Sequence, residues 1–415
     1  MIWSLLHIVD ILLWVLMAGS AGYVIFFGIA SLVKGKEKSG NSEISEKSEN
    51  SENSENSENS ELSELSNHSS FLIIYPAYRE DAVIRQSVTT FLQQDYPTNR
   101  YRLVVVSDHM QAETNEWLAQ LPLTLLQPTF EKSSKAKALQ FAIDYVESHP
   151  QSPSTFTHVV ILDADNVVAS DFLHRLNEVC AKGYSAIQCH RTAKNANNDI
   201  AALDGISEEI NNTLFRRAHN AIGLSSALIG SGMCFDYPWF RENVHQLTSA
   251  VEDRELEALL MKQNVFVKYE SSIHVMDEKV SNQDNFQRQR LRWMTGQIQT
   301  LYLMLPYLPT AIRHANVNYI DKTIQQMLIP RSILLVLTAL LSVLVTIVAP
   351  TWSIKWWCLL VALCAALLIA IPRALRTKAL FGKLVSLLLL VWRMLKNLIH
   401  IDRSNKEFIH TAHDK

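Results

Sequence analysis

The sequence predicts an α/β protein with a mostly parallel sheet and additional transmembrane helices, and three observations support this prediction. Short apolar runs alternate with amphipathic helical patterns between residues 71 and 163. Polar and acidic side chains directly follow several of these runs. Longer apolar runs lie near the N-terminus and beyond residue 331. The alternation favours parallel strands covered by helices, and the long uncharged runs favour membrane spans.

The predicted sheet rests on four apolar runs separated by helical patterns. The predicted strands are 71–75, 102–107, 123–126 and 158–163, and the predicted helices are 82–94, 114–120 and 134–148. In such sheets, ligands bind at the carboxyl ends of the strands. Pro76, Tyr78, Asp108, Asp163 and Asp165 all fall at such ends. We therefore expect them to share one site.

The first membrane span is predicted at residues 11–33, which carry no charge. A run of this length crosses a bilayer as a helix. A cleaved signal peptide is the alternative, and it is disfavoured because the run is long and residues 1–10 contain no Lys or Arg. Lys34, Lys36 and Lys38 follow the run and place this end in the cytoplasm by the positive-inside rule.

A transmembrane hairpin is predicted from the apolar runs 332–348 and 356–371, with residues 351–353 and Lys355 forming its loop. A buried hairpin in a soluble core is the alternative, which the length and lack of charge disfavour. The outer ends of the hairpin are basic and are expected in the cytoplasm: Arg331 before it, and Arg373, Arg376 and Lys378 after it.

Two further segments, residues 42–65 and 379–401, differ in composition from the predicted catalytic domain and membrane spans. Residues 42–65 are eight Ser-Glu-X triplets, which predict a disordered linker, with a helix as the alternative. Residues 379–401 place polar groups on one helix face, which favours a helix in the membrane interface over a fourth span. The predicted domains are a transmembrane helix (1–33), a linker (34–70), a catalytic domain (71–300), an interfacial connection (301–330), the hairpin (331–372), and an interfacial helix with a cytoplasmic tail (373–415).

Charge and cysteine content narrow the classes of ligand. The net charge is −3, but residues 42–65 hold eight Glu and one Lys, so the rest of the chain is mildly basic. This balance is compatible with an anionic ligand or a membrane surface, and we expect no nucleic acid partner. None of the five cysteines has metal-ligand spacing, which indicates reduced thiols and disfavours a zinc site.

Asp163 and Asp165 end an apolar strand one residue apart. Carboxylates placed in this way suit Mg²⁺ or Mn²⁺ that bridges a diphosphate and neutralises the charge on a leaving group. Two solvated loop acids are one alternative. A phosphatase of the haloacid-dehalogenase type, with Asp163 as nucleophile, is another. The strand–helix pattern that precedes this motif argues against the phosphatase.

Glu252 and Asp253 lie just before a predicted helix at residues 254–263. A carboxylate at this position is either a helix cap or a general base that takes a proton from an acceptor hydroxyl.

Gln289, Arg292 and Trp293 follow an i, i+3, i+4 spacing and therefore share one helix face. An arginine fork binds phosphate, a tryptophan face stacks on sugar, and a glutamine hydrogen-bonds hydroxyls. A basic helix lying against lipid headgroups is the alternative reading of the same residues.

Taken in order, these motifs resemble those of family 2 glycosyltransferases, in the membrane-bound branch with cellulose, chitin, hyaluronan and poly-N-acetylglucosamine synthases. The resemblance covers about residues 71–299. It is carried by six motifs: Pro76 to Glu80, Asp108, Asp163 with Asp165, Gly230 to Gly232, Glu252 with Asp253, and Gln289 with Arg292 and Trp293.

The resemblance implies a GT-A fold and inverting transfer from a nucleotide sugar. Implied donor-binding residues are Pro76, Tyr78, Glu80, Asp108, Lys135 and Asp163, and implied metal ligands for Mg²⁺ or Mn²⁺ are Asp163 and Asp165. Asp253 would be the catalytic base, and the implied residues for the acceptor and diphosphate are Glu252, Gln289, Arg292 and Trp293. Two positions depart from the family pattern. Ser107-Asp108-His109 replaces a common Asp-Asp-Gly, and Val251 replaces a common Thr.

The predicted function is transfer of a sugar, UDP-linked in our expectation, to a glycan or lipid-linked acceptor for cell-surface polysaccharide or glycolipid synthesis. The predicted location is the cell membrane, in a bacterium the inner membrane, with the catalytic domain cytoplasmic. Expected partners are the nucleotide sugar, the acceptor, membrane lipids, and export or synthase subunits. A metal-dependent phosphohydrolase and an inactive membrane scaffold are the alternatives.

Overall fold

The structure is a computed structural model that describes residues 2–33, 68–150, 155–195, 199–279 and 283–376. The strands are β1 Phe71–Tyr78, β2 Tyr101–Asp108, β3 Thr124–Leu126, β4 His158–Ile161, β5 Val167–Val168, β6 Ala186–Ala193, β7 Met233–Asp236 and β8 Val267–Asp277. The first nine α-helices are α1 Ile2–Ala30, α2 Ile84–Phe91, α3 Ala112–Leu118, α4 Lys135–Ser148, α5 Phe172–Cys180, α6 Asp199–Asn211, α7 Ala218–Ala221, α8 Tyr237–Asn243 and α9 Glu252–Lys262.

The remaining α-helices are α10 Gln283–Met304, α11 Leu308–Arg313, α12 Val317–Met327, α13 Arg331–Val348 and α14 Pro350–Ala370. Short 3₁₀ turns cover Thr98–Arg100, Val244–Gln246, Leu305–Tyr307 and Arg373–Leu375, and a π-helical turn covers Asn212–Arg217.

The eight described strands form one mixed, mostly parallel sheet in the order β3-β2-β1-β4-β7-β6-β8-β5. β3, β2, β1 and β4 run parallel, as the sequence predicts, whereas β7 is antiparallel to both of its neighbours. The parallel order brings the carboxyl ends of β1, β2 and β4 to one edge. The fold prediction is confirmed, and the four predicted strands lie where the apolar runs placed them.

Apolar side chains cover both faces of the sheet. On one face, α4 and α9 pack against β1, β2 and β4 through a cluster that includes Leu72, Leu139 and Leu256. On the other face, α2 and α5 pack through a cluster that includes Ile73, Val88 and Leu173. The alternation of Leu72 and Ile73 between the two clusters follows from the two-residue period of a strand. The sheet is therefore a rigid support for the side chains at its edge.

Three described helices are long and apolar enough to cross a membrane: Trp3–Ala30, Arg331–Val348 and Pro350–Ala370. The prediction of residues 351–353 and Lys355 as a loop is wrong, because these residues lie in α14. The chain turns at Ala349, and Pro350 starts α14 at the first position, where a missing N–H costs nothing. Helix α1 begins at Ile2 and so includes Asp10, which precedes the uncharged run 11–33.

Helix α1 continues through Asp10 because this residue forms a buried pair with α14. Asp10 of α1 is only 7% exposed, accepts a hydrogen bond from Trp356 Nε1 at 2.8 Å and pairs with the Lys355 ammonium. A charge inside an apolar segment is costly unless it is paired. The partner comes from α14, so the charge does not end α1.

A polar cluster and a close helix contact join α1 to the rest of the chain. The Tyr23 hydroxyl donates to Asp321 Oδ1 at 2.6 Å and lies 2.9 Å from His219 Nε2. A Cβ added to Gly28 would lie 3.0 Å from Ala366 Cβ, so glycine allows α1 and α14 to approach closely. The predicted linker (42–65), the predicted interfacial helix (379–401) and the basic residues 34–38 and 378 lie outside the described residues.

Candidate active site

One cavity of about 810 Å³ lies at the carboxyl edge of the sheet. All twelve residues singled out from the sequence line it, although they come from six separate stretches of the chain. They are Pro76, Tyr78, Glu80, Asp108, Lys135, Asp163, Asp165, Glu252, Asp253, Gln289, Arg292 and Trp293. The structure therefore brings the predicted site together, while the role of each residue stays a prediction.

Tyr78 and Asp108 are neighbours at the ends of β1 and β2, where they are partners in the strand register. The Arg79 guanidinium lies over the Tyr78 ring, 5.2 Å from its centre. His109 follows with a φ of 56°, a left-handed conformation that glycine adopts most easily. His109 thus takes the conformation that the glycine of the family pattern would supply, and its Nδ1 lies 2.5 Å from Asp108 Oδ1.

Lys135 connects three parts of the site. Its Nζ donates to Asp163 Oδ1 at 2.5 Å and to the Gly230 carbonyl at 2.6 Å, and lies 3.3 Å from Glu252 Oε1. The Ser134 hydroxyl caps α4 by accepting from the Lys137 amide, which fixes the helix start that carries Lys135. Burial alone would lower the pKa of Lys135, but the Asp163 and Glu252 carboxylates raise it above its ordinary value. Lys135 therefore stays protonated and places a positive charge in the cavity.

Glu252 and Asp253 lie in the first turn of α9, not before it as predicted. Burial, with the nearby Asp253 and Asp163 charges, raises the pKa of Glu252 to about 7 against the opposing effect of Lys135. Asp253 Oδ1 accepts from the Arg254 amide, and a Cβ on Gly230 would lie 3.6 Å from Asp253 Oδ2. The two carboxylates thus differ: Glu252 faces Lys135, and Asp253 faces the glycine loop and the cavity.

The donor atoms of Asp163 and Asp165 decide whether the site fits a divalent metal ion. No three His, Cys, Asp or Glu side chains of the described residues are grouped so as to hold an ion alone. Asp165 is 7% exposed, and its two oxygens accept from Asn166 Nδ2 and the Glu278 amide, both at 2.9 Å. A carboxylate oxygen has two lone pairs, so an oxygen that accepts a hydrogen bond can also coordinate an ion. Asp163 and Asp165 therefore fit a Mg²⁺ or Mn²⁺ ion that takes its other ligands from a diphosphate and water.

The α10 helix presents Gln289, Arg292 and Trp293 to the cavity, as the spacing predicts. Burial lowers the pKa of Arg292, while the carboxylates of Glu252, Asp163 and Asp253 oppose this effect. Gln289 Oε1 is buried and has no hydrogen-bond partner in the described part of the chain. A buried oxygen without a donor is costly, so a ligand hydroxyl would be favoured here.

Four charged residues of the cavity wall were not singled out from the sequence. Arg191 of β6 lies 3.2 Å from Glu208 and 3.4 Å from Asp277, which ends β8. Lys279 pairs with the same Asp277 at 3.1 Å, and all four residues line the cavity. The position of Asp277 at a strand end was an available signal. Arg191 had none, because its partners lie 17 and 86 residues further along the chain.

The fold, the acidic pair at the end of β4 and the cluster of cations opposite it define a glycosyltransferase of the GT-A class. The chain matches the family model "Glycosyl transferase family group 2" over residues 158–370 and "Glycosyl transferase family 2" over residues 72–242. The first match covers more than half of the 415 residues, so the chain belongs to glycosyl transferase family group 2. These matches exclude the phosphohydrolase alternative.

Two solved structures illustrate the similarity. The mannosyltransferase PcManGT from Pyrobaculum calidifontis, in complex with GDP-Man and Mn²⁺, is 16% identical with a TM-score of 0.45, over 73% of this chain and 86% of that chain. TarS 1-349 from S. aureus is 14% identical with a TM-score of 0.36, over 55% of this chain and 65% of that chain. Among curated proteins, none matches this chain.

Proposed function

We propose that this chain transfers a sugar, with inversion, from a nucleotide diphospho-sugar to a hydroxyl of a glycan or lipid-linked acceptor at a membrane. The observation that carries the proposal is the contact of Lys135 with both Asp163 and Glu252. This contact joins the strand end that faces a diphosphate to the helix start that faces an acceptor.

The donor would lie along the edge formed by β1, β2 and β4. Tyr78, Glu80 and Asp108 would hold the nucleoside at the ends of β1 and β2. A divalent ion held by Asp163 and Asp165 would stabilise the charge that develops on the leaving diphosphate. Lys135 and Arg292 would bind diphosphate oxygens, and the rigidity of their supports keeps them in place as the charge builds.

The acceptor would lie on the α10 side, where Trp293 offers a stacking face and Gln289 an unsatisfied oxygen. The acceptor hydroxyl oxygen would bond to the anomeric carbon as the bond to the diphosphate breaks, and Asp253 would take the hydroxyl proton. Asp253 suits this role better than Glu252 because Glu252 is held by Lys135. UDP is the nucleotide we favour, on the family resemblance.

The apolar helices support a multi-pass protein of the cell membrane, in a bacterium the inner membrane. Arg331, Arg373 and Arg376 lie at one end of the hairpin, and this end would face the cytoplasm with the catalytic domain. We also propose that the chain belongs to the branch of polysaccharide and glycolipid synthases. Its expected partners are membrane lipids and export or synthase subunits.

The deciding experiment compares Asp253→Asn with the wild type in donor binding and in sugar transfer. A positioned base typically contributes about 10²–10⁴-fold, so we expect transfer to fall at least a hundredfold while donor affinity stays within about threefold. The substrates are a panel of radiolabelled UDP- and GDP-sugars with membrane lipid and glycan extracts as acceptors.

The matched control is Asp171→Asn, at another helix start outside the cavity. Transfer by Asp171→Asn should equal that of the wild type. If Asp253→Asn transfers sugar at a near-normal rate, the base assignment is wrong. If the wild type binds no nucleotide sugar at all, the inactive scaffold is the better description.

A further inference from the structure

The active-site cavity does not end at the catalytic residues but continues between the membrane helices. Beyond Trp293 its walls come from α6, from the start of α13 and from the end of α14. The side chains that α6 turns to the catalytic residues are polar, but six apolar side chains line this part of the cavity: Ile206, Ile210, Leu335, Leu367, Leu368 and Ile371. We call this part the apolar passage. A water-soluble donor does not need such a surface, because nucleotide and sugar are polar.

The apolar passage reaches the outside of the described part of the chain at Leu368. This side chain lines the cavity and is also 42% exposed, on a helix that is long and apolar enough to cross a membrane. Leu367 and Leu335 lie deeper and are half-buried. The passage thus connects the surface that would meet lipid with the chamber that holds Asp253, without leaving one cavity.

Arg331 lies where the apolar passage meets the polar chamber. Its Nη2 donates to the Ser207 carbonyl at 3.2 Å and to Asn211 Oδ1 at 2.6 Å, and its guanidinium lies over the Phe215 ring at 5.8 Å. All of these partners are uncharged. Three other arginines of the cavity wall differ, since each has a carboxylate partner: Arg191 and Arg216 pair with Glu208, and Arg290 pairs with Asp204.

An arginine that is half-buried and makes no ion pair within the described residues favours an anionic ligand. The guanidinium fork matches phosphate oxygens in shape and charge. Arg331 is also close to the acceptor side of the site. The Arg290 guanidinium lies 4.5 Å from the centre of the Trp293 ring, and Arg290, Trp293 and Arg331 line the same cavity. A charge bound at Arg331 would therefore lie between the apolar passage and the acceptor platform.

We infer that the acceptor is a phosphate-bearing lipid, which lays its acyl or prenyl chain in the apolar passage, places its phosphate at Arg331 and presents a headgroup hydroxyl to Asp253. This inference rests on the proposed function and names the acceptor class for it. The order of the three features along one cavity matches the order of chain, phosphate and hydroxyl in such a lipid.

The test measures lipid binding by native mass spectrometry of the purified full chain in a neutral detergent. Three probes separate the contributions of chain and phosphate: phosphatidylglycerol has chains, phosphate and hydroxyls, diacylglycerol lacks the phosphate, and glycerol phosphate lacks the chains. We expect phosphatidylglycerol to bind at least about tenfold more tightly than either of the other two, because each lacks one recognised feature.

Variants assign the binding to the residues. Arg331→Gln keeps a side chain that can bond to Ser207 and Asn211, and it should abolish the preference for phosphatidylglycerol over diacylglycerol, whereas Arg331→Lys should retain part of it. Leu335→Trp should block the passage and weaken phosphatidylglycerol binding at least about tenfold. Leu344→Trp, on the same helix but 55% exposed, is the matched control and should bind as the wild type does. If Leu335→Trp does not fold, Leu367→Trp on α14 is the second variant, and it should weaken phosphatidylglycerol binding in the same way.

Equal binding of phosphatidylglycerol and diacylglycerol, or an unchanged preference in Arg331→Gln, would overturn the phosphate assignment. Unchanged binding in both tryptophan variants would overturn the apolar passage. Nucleotide release from the donor by the wild type is measured separately. Release without selective lipid binding leaves the glycosyltransferase proposal standing and rejects the lipid acceptor. Lipid binding without release from any donor rejects the proposed function instead.

Discussion

Gly296 of α10 lies so close to Val251 that a Cβ added to Gly296 would be 2.5 Å from Val251 Cγ1. Val251 immediately precedes Glu252 and Asp253, and α10 carries Gln289, Arg292 and Trp293 one to two turns before Gly296. The missing side chain at Gly296 therefore sets the distance between the proposed base and the proposed acceptor platform.

Gly296→Ala should reduce sugar transfer at least about tenfold, because a displacement of about 1 Å at a reacting pair can cost about 10²-fold. Donor binding at Asp163 should change less. Measuring transfer and donor affinity on purified protein separates the two effects.

Removing Val251 Cγ1 should relieve the clash. We expect the double variant Gly296→Ala, Val251→Ala to recover most of the lost transfer. Gly22→Ala, in a helix where a Cβ meets nothing within 4 Å, is the matched control and should leave transfer unchanged. Full activity of Gly296→Ala alone would show that this contact does not position the site.

Asp165→Asn should remove the metal dependence of donor binding. The amide keeps the size of the carboxylate and one oxygen, but it loses the negative charge that a hard divalent ion requires. In the wild type, Mn²⁺ should strengthen binding of a nucleoside diphosphate at least about tenfold, which corresponds to about 1.4 kcal/mol. Isothermal titration with Mn²⁺ and with a chelator checks this. An undiminished Mn²⁺ effect in Asp165→Asn would remove Asp165 from the set of metal ligands.

Glu252 should make the fold less stable as the pH rises. Its pKa is raised from 4.5 to about 7, mainly by burial, so the native state holds this proton more tightly than the unfolded chain does. Stability is then lost progressively between pH 4.5 and about 7, and the loss is complete above that range. The effect applies to protein that is free of donor and metal.

Thermal unfolding at pH 5 and pH 8 tests this assignment. The loss between the two pH values should be smaller in Glu252→Gln than in the wild type, because the amide does not ionise. Glu242→Gln, on the exposed surface of α8, should behave as the wild type. An identical pH dependence in Glu252→Gln would mean that another group carries it.

The turn at Ala349 should face the outside of the cell and the catalytic domain the cytoplasm. In a variant without the five native cysteines, Thr351→Cys, exposed in the first turn of α14, should react with an impermeant maleimide in intact cells. Glu242→Cys should react only after the membrane is opened. The basic ends of the hairpin motivate this orientation. Reaction of Glu242→Cys in intact cells would contradict it.

The periodicity of apolar side chains along short stretches of the sequence predicts many of the strands and helices. The strand that ends at Tyr78 and the helix that begins at Lys135 were predicted within a few residues, because side-chain alternation and helical spacing follow from backbone geometry. Five of the twelve candidate site residues lie at predicted strand ends, which converge at one edge of a parallel sheet. The same logic locates Asp163 and Asp165 without any knowledge of their neighbours. The other seven candidate residues came from helix spacing, from the carboxylate pair near a helix start and from the family resemblance.

Contacts between distant segments were not predictable from such patterns. The sequence pattern leaves Asp10 just outside the uncharged run 11–33 and places Lys355 in a loop, because each is an isolated charge in an apolar stretch. Only the packing of α1 on α14 pairs them and makes both tolerable inside the helices. From the sequence, Arg331 indicates only which end of the hairpin faces the cytoplasm. Its position in the cavity wall depends on the packing of α13 against α6.

Features were predictable or not according to how far apart in sequence the interacting residues lie. Strand and helix periods, the ends of parallel strands and the apolar length of a span are properties of short stretches of chain, and they can be read from residues near each other in sequence. The pairing of Asp10 with Lys355, the contact of Gly296 with Val251 and the passage beside Arg331 arise from distances between side chains far apart in sequence. Such distances exist only once the sheet, α10 and the long apolar helices α1, α13 and α14 have packed together.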